Sequence, residues 1–185
     1  MKYTEVSKDN RLQQLRNTPR MYFLPIDYHS GNNRVDGLID LCQKYLKPTD
    51  NCVEVGSFSG VSSQVIALHC GELHCVDTWD FGGTMPAEQM FDLMHPNYPN
   101  IAKVKMTSIE ASKQYADGSL DFVYVDADHS YASVVADINA WKPKVKSGGY
   151  IAGHDSYMPE VLKAVMDCLG EPLQYFTDTS WIVKL

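Results

Sequence analysis

The densest chemistry in the chain lies in two short runs. The first is Val125-Asp126-Ala127-Asp128-His129-Ser130-Tyr131, where two acids and a histidine directly follow an apolar stretch. The second is Ile151-Ala152-Gly153-His154-Asp155-Ser156, which again closes an apolar stretch with polar groups. Carboxylates converging from two segments can hold a divalent cation. An imidazole, with an ordinary pKa of about 6.5, can accept a proton at physiological pH. Asp126 and Asp155 are thus candidate metal ligands. His129, three residues after Asp126, is a candidate general base, with His154 as the alternative. A plainer reading stands beside each: Asp128, and equally Asp155, would serve as a helix cap, and His129 would bond the backbone at a helix start. Capping is the preferred reading for Asp128, and a site for Asp126 and Asp155.

A further signal comes earlier, in Val53-Glu54-Val55-Gly56-Ser57-Phe58-Ser59-Gly60-Val61-Ser62. An apolar strand enters a glycine-bearing turn and leaves as a helix. Gly56 allows a sharp turn and close approach of the backbone to a ligand, and N–H groups at a helix start can bind a polar or anionic group. Glu54, an acid inside an apolar strand, requires partners. Asp77 ends the run Leu73-His74-Cys75-Val76-Asp77. Its position, about 20 residues beyond the glycine turn, is where nucleotide-binding folds place the carboxylate that accepts ribose hydroxyls. The dinucleotide pattern G-x-G-x-x-G is absent: Phe58 occupies the place of the second glycine, the one that admits a pyrophosphate. The combination favours a nucleoside without phosphates.

These residues need a scaffold, and the hydrophobic pattern supplies one. Helical stripes or capped segments are expected over Arg34–Tyr45, Val61–His69, Met85–Met94, Ile109–Tyr115, Tyr131–Trp141 and Pro159–Leu169. Apolar strands are expected at Cys52–Val55, Glu72–Asp77, Ile101–Met106, Leu120–Val125, Tyr150–His154, Leu173–Phe176 and Trp181–Leu185. Alternation of this kind implies βαβ units and a largely parallel sheet, with helices on both faces. Ligands then bind beyond the carboxyl ends of the strands, where strand order reverses. Asp77 ends a strand, and Gly56, Asp126 and Asp155 fall just after strands. Residues 1–33 read as an N-terminal arm that covers one end of the sheet, and the whole of 1–185 as a single domain.

Composition sets limits. The net charge of −7 over 185 residues, with scattered lysines and arginines, disfavours a nucleic-acid backbone as partner. No apolar run reaches the ~18 residues of a membrane span, and the polar start Met1 to Asn10 carries no secretory pattern. Five cysteines without a C-x-x-C pair read as reduced core thiols in a cytoplasmic protein.

The run E-V-G-S-F-S-G-V-S resembles the first motif of class I S-adenosylmethionine-dependent methyltransferases. It is similar in particular to the version in catechol and caffeoyl-coenzyme A O-methyltransferases, where a bulky residue also replaces the middle glycine. The resemblance runs from about Cys52 to Ser156. It implies a Rossmann-like three-layer α/β/α fold with a seven-stranded, mainly parallel sheet and an antiparallel C-terminal hairpin. It implies S-adenosylmethionine held by Glu54, Gly56, Ser57, Phe58, Gly60, Ser62, Asp77, Thr78, Trp79, Ser108 and Asp126. Thr78-Trp79 recurs in the resembled small enzymes; Trp79 either packs by the adenosine or belongs to the core. Ser108 lies in the region that meets adenine.

D-A-D-H-S-Y looks like the D-A-D-K-x-x-Y run of the cation-dependent members, and I-A-G-H-D like their I-A-Y-D-N. The match places a metal, Mg²⁺ or Mn²⁺, on Asp126, His154 and Asp155, and sets His129 on the lysine those enzymes use as base. Histidine is a poor ligand for Mg²⁺, and a shift of one residue would pair Asp155 and Ser156 instead, so a metal-free site with a histidine base stays open. The implied activity is methylation, at oxygen, of a small-molecule acceptor. A nicotinamide-dependent oxidoreductase and a non-catalytic adenosine-binding module are the alternatives.

Overall fold

Side chains on β1 (Asn51–Val55) alternate between two cores: Cys52 and Glu54 point to one face of the sheet, Val53 and Val55 to the other. That alternation is the period-2 geometry of a strand buried on both sides. It fixes the architecture seen in a computed structural model of the chain, which describes residues 7–17, 35–80 and 86–185.

The first face is covered by α1 (Lys8–Asn17), α2 (Asp36–Tyr45), α3 (Val61–Ala67) and α4 (Ala87–Met94), through Leu12, Leu38, Ile39, Leu41, Ile66 and Phe91. The second face is covered by α5 (Ser108–Ser112), α6 (Tyr131–Trp141) and α7 (Pro159–Leu169), through Ala111, Ile138, Trp141, Val161 and Ala164. Between them lie β1, β2 (Glu72–Asp77), β3 (Ile101–Lys105), β4 (Leu120–Val125), β5 (Val145–Gly153), β6 (Gln174–Tyr175) and β7 (Trp181–Lys184), in the order β3-β2-β1-β4-β5-β7-β6. The first five run parallel; β7 is antiparallel to β5, and β6 and β7 form the terminal hairpin. This is the expected seven-stranded sheet, and its order reverses between β1 and β4.

The element bounds depart from expectation where local geometry is irregular. β5 begins at Val145, not Tyr150, because the β4–β5 register shifts between Leu120 and Phe122. Such a bulge breaks the alternation that marks a strand in sequence. α5 begins at Ser108 because Thr107 caps it, its side chain accepting from Glu110 N. Of the N-terminal arm, α1 is described and buries Leu12 and Leu15; residues 1–6, 18–34 and 81–85 lie outside the described residues.

The turn between β6 and β7 reaches back to α2. Val35, the N-cap of α2, offers no side-chain bond; instead buried Asp178 accepts from Leu38 N at 2.8 Å and from Ser180 N at 3.0 Å. A carboxylate at a helix start satisfies an orphan donor and complements the dipole. A Cβ on Gly37 would lie 2.1 Å from Asp178 Oδ1, so glycine is required for that approach. All five cysteines are free thiols. No described helix is long and apolar enough to cross a membrane.

Candidate functional site

The β1–α3 turn is built from left-handed residues. Gly56 (φ 89°), Phe58 (φ 47°) and Gly60 (φ 83°) have positive φ, and so does Trp79 (φ 51°) just after β2. The conformation is cheap for glycine and costly for an aromatic residue, so Phe58 and Trp79 need restraint. Asp77 provides it. One carboxylate oxygen accepts from Phe58 N at 2.8 Å and the other from Trp79 N at 2.7 Å. Trp79 Nε1 in turn donates to Phe58 O at 2.7 Å. Asp77 therefore welds the two loops together, a duty the sequence did not suggest, while each oxygen keeps acceptor capacity for a ligand.

Trp79 packs against the core and also borders a cleft. Its ring packs on Phe91, with centroids 4.9 Å apart, and lies under Lys103 Nζ at 4.7 Å. Lys103 is fixed by Glu88 (2.8 Å) and Asp92 (2.6 Å) of α4. Trp79 also lines a cleft of about 450 Å³ together with Thr78, Asp80, Lys105, Met106 and Thr107. Lys105, Met106 and Thr107 were not singled out in the sequence; only their place at and just after the end of β3 could have pointed to them.

Ser108, expected near adenine, spends its hydroxyl elsewhere: Oγ accepts from Trp141 Nε1 at 2.9 Å, and it is not among the residues lining that cleft. Glu54 is fully buried under α3 and bonded by the Ser63 hydroxyl. Burial pushes its carboxyl up, with the hydroxyls of Ser62 and Ser63 pulling the other way. Glu54 Oε1 and Ser57 Oγ are buried without a hydrogen-bond partner among the described residues. Unpaired buried polar atoms are rare and call for an explanation.

The second cluster stands across the Gly56 backbone. Asp126 N donates to Val55 O at 2.8 Å, and a Cβ on Gly56 would lie 2.1 Å from Asp126 O. Asp126, His154 and Asp155 offer ligand atoms all within 4.8 Å of one another. His129 Nε2 lies 2.9 Å from Asp155 Oδ2 and 3.7 Å from Asp126 Oδ1. His154 Nδ1 lies 2.9 Å from Asp155 Oδ1 and 3.9 Å from Asp126 Oδ1. Four expected residues from two segments thus converge at the ends of β4 and β5. Asp155 has positive φ (59°).

Two expectations need correction. His129 does not keep an ordinary imidazole pKa: Asp126 and Asp155 push it up to about 10, so it holds a proton at neutral pH in this arrangement. Asp155 responds in the opposite direction; burial would raise its carboxyl, but the bonds from His129 and His154 outweigh that and hold it well below the usual range. Asp128 does not cap α6. The N-cap is Ser130, whose hydroxyl accepts from Ser133 N, and Asp128 accepts from Ser130 N at 2.8 Å in the turn before it. Nor does Asp155 cap α7, whose N-cap is Met158.

Comparison with known proteins agrees with this picture. No curated protein matches the chain. Among solved structures, an S-adenosylmethionine-dependent O-methyltransferase from Thermotoga maritima aligns over 89% of this chain and 55% of its own, with TM-score 0.60 and 12% identity. Aeropyrum pernix fibrillarin with natively bound S-adenosyl-L-methionine aligns over 74% and 67%, with TM-score 0.56 and 14% identity. A precorrin 8w decarboxylase from Methanobacterium thermoautotrophicum aligns over 71% and 67%, with TM-score 0.56 and 21% identity. At such identities the likeness speaks for the fold. Membership rests on a family model, the methyltransferase domain, which matches residues 53–156, from the strand before the glycine turn to the residue after Asp155. The chain belongs to this methyltransferase domain family, with the Rossmann-like fold of the S-adenosylmethionine-dependent class I enzymes that its motifs resemble.

Proposed function

We propose that the protein transfers the methyl group of S-adenosylmethionine to a hydroxyl oxygen of a small-molecule acceptor. The observation that carries this reading is the placing of two polar groups on either side of the Gly56 turn in the sheet order. The Asp77 loop and the cleft beside it lie at the ends of β2 and β3, the Asp126–His129–His154–Asp155 cluster at the ends of β4 and β5, and the Gly56 turn closes β1 between them.

In the reaction the acceptor oxygen attacks the methyl carbon in line, the S–CH₃ bond breaks, an O–CH₃ bond forms, and S-adenosylhomocysteine leaves. The protein orients both partners and receives the hydroxyl proton. Asp77 accepts the ribose hydroxyls with the lone pairs left over from the loop. Thr78, Trp79, Met106 and Thr107 border the adenine. Ser57 and Glu54, buried beneath the Gly56 turn, support the backbone that meets the cofactor. His129 takes the acceptor's proton in its neutral form, which Asp126 and Asp155 disfavour at neutral pH, so turnover should rise as pH increases toward the raised pKa of its imidazole. The net charge of −7 supports a small molecule over nucleic acid as the acceptor.

Two carboxylates and an imidazole suit Mn²⁺ better than Mg²⁺, which prefers oxygen. Asp126, Asp155 and His154 would hold such an ion, and a bound cation would orient the acceptor oxygen and lower its pKa.

Calorimetry with S-adenosylhomocysteine tests the cofactor half. Asp77→Ala should weaken binding by more than the ~1.5–3 kcal/mol of its charge-assisted bonds, because the Phe58 and Trp79 loops lose their tie as well. Wild-type protein that binds no cofactor at millimolar concentration would refute the reading. For the acceptor half, small hydroxylated compounds are screened for S-adenosylhomocysteine release. Turnover should stop with chelator and return with Mn²⁺; full turnover in excess chelator would remove the cation and leave the histidine–carboxylate group.

A further inference from the structure

His154 Nδ1 faces the two carboxylates; what its other nitrogen touches comes from the far end of the chain. Nε2 lies 3.2 Å from the hydroxyl of Thr179, in the turn between β6 and β7. Thr179 sits at φ 71°, in a three-residue hairpin loop closed by Thr179 N to Phe176 O (3.0 Å) and Phe176 N to Ser180 O (2.8 Å). Glycine is the residue suited to a left-handed position in such a loop, and a β-branched side chain there is an outlier. Outliers of this kind persist only where surrounding structure enforces them, and they gather at functional sites.

Asp178 ties the turn to α2, and the contacts on either side of Thr179 lead to the cluster. The turned carbonyl of Thr179 accepts from Ser156 N at 3.1 Å and from Ser156 Oγ at 2.8 Å. Trp181 Nε1 donates to His154 O at 3.0 Å. Ser180 Oγ is bonded to Tyr124 Oη at 2.9 Å, which ties the turn to β4. The strained Asp155 is therefore clasped on both sides, at His154 and at Ser156, by residues 179 and 181.

We propose that Thr179 is a positioning residue of the methyl-transfer site: its hydroxyl fixes the ring of His154 with Nδ1 toward Asp126 and Asp155. A hydroxyl suits the task because it can donate or accept. While Nδ1–H points at Asp155, Thr179 donates to bare Nε2. When Nδ1 is needed as a ligand, Nε2 carries the hydrogen and Thr179 accepts it, the outer partner that metal-bound histidines require. His154 can thus exchange tautomers without losing a partner or its orientation. This role rests on the reading of the cluster given above, but its geometry can be tested without an acceptor.

Three variants of the full chain separate the hydroxyl from the backbone. Thr179→Val keeps shape and strain and removes the hydroxyl, Thr179→Ser keeps the hydroxyl, and His154→Gln assigns the ring signals. Side-chain ¹⁵N NMR of the wild type should show His154 as a single Nδ1–H tautomer. Thr179→Val should shift or broaden that signal, Thr179→Ser should restore it, and S-adenosylhomocysteine affinity should stay within about twofold in both Thr179 variants. A Thr179→Val spectrum that overlays the wild type, or a Thr179→Ser spectrum equal to that of the valine variant, overturns the proposal. With Mn²⁺ as probe, followed by electron paramagnetic resonance, Thr179→Val should weaken binding about 10–100-fold; unchanged Mn²⁺ affinity overturns the outer-partner role. Wild-type protein that binds no Mn²⁺ refutes the cation half of the proposed function instead, and the nitrogen spectrum still decides the place of Thr179.

Discussion

Gly56→Ala should abolish cofactor binding and lower the melting temperature. Two separate costs meet at this residue. A left-handed backbone at φ 89° penalises any Cβ by ~1–2 kcal/mol. The added carbon would also lie 2.1 Å from Asp126 O, 2.6 Å from Asp126 C and 2.7 Å from Ala127 Cα. Those atoms are main chain, pinned by the bond from Asp126 N to Val55 O, so the clash cannot be relieved by a side-chain rotation. Either β1 and β4 part at their carboxyl ends or the turn changes shape, and both disturb the turn that lies between the two halves of the proposed site. Gly118 supplies the control: its φ is 63° and nothing lies within 4 Å of the Cβ position. Gly118→Ala should show the backbone cost alone and bind S-adenosylhomocysteine as the wild type does. Thermal melts and calorimetry on both variants check this; Gly56→Ala with near-wild-type affinity would mean that the cofactor does not depend on this turn.

The sheet was legible because its strands obey simple rules. Val53 and Val55 against Cys52 and Glu54, then apolar β4 and β5, announce strands buried on both faces, and the helices between them carry visible stripes. What escaped was set by tertiary geometry. The fifth strand was expected to begin at Tyr150, although β5 starts at Val145 and runs past a bulge. In the site, the residues that follow strands directly were readable: Gly56, Asp77, Asp126, His129, His154 and Asp155 come to the predicted edge. Residues that act through a partner were not. Ser108 has the right place after β3 but gives its hydroxyl to Trp141. Thr179 is 25 residues from His154 in sequence, and no motif connects them. The pKa of His129 was misjudged for a related reason: an isolated imidazole was assumed, whereas folding sets it against Asp155 and close to Asp126.

His129→Ala should reduce methyl transfer by about 10²–10⁴ while cofactor affinity stays near the wild-type value. The ring lies outside the Asp77 loop and its cleft, so the cofactor loses no contact. Within the cluster it bridges two segments, at 2.9 Å to Asp155 on one and 3.7 Å to Asp126 on the other. Removing it deprives both carboxylates of their shared neighbour and the acceptor of a positioned proton carrier. His129→Gln keeps bulk and a hydrogen-bond donor but carries no proton between atoms, so it should restore stability in part and turnover hardly at all. If His129 and Asp155 act as one unit, their effects will not add: His129→Ala/Asp155→Asn should be about as slow as the slower single variant. Steady-state rates of S-adenosylhomocysteine release, set beside calorimetric cofactor affinities, make the comparison. Turnover in His129→Ala within a few-fold of the wild type would move the proton to His154, the other imidazole on Asp155, and would make Thr179→Val the next variant to slow the reaction.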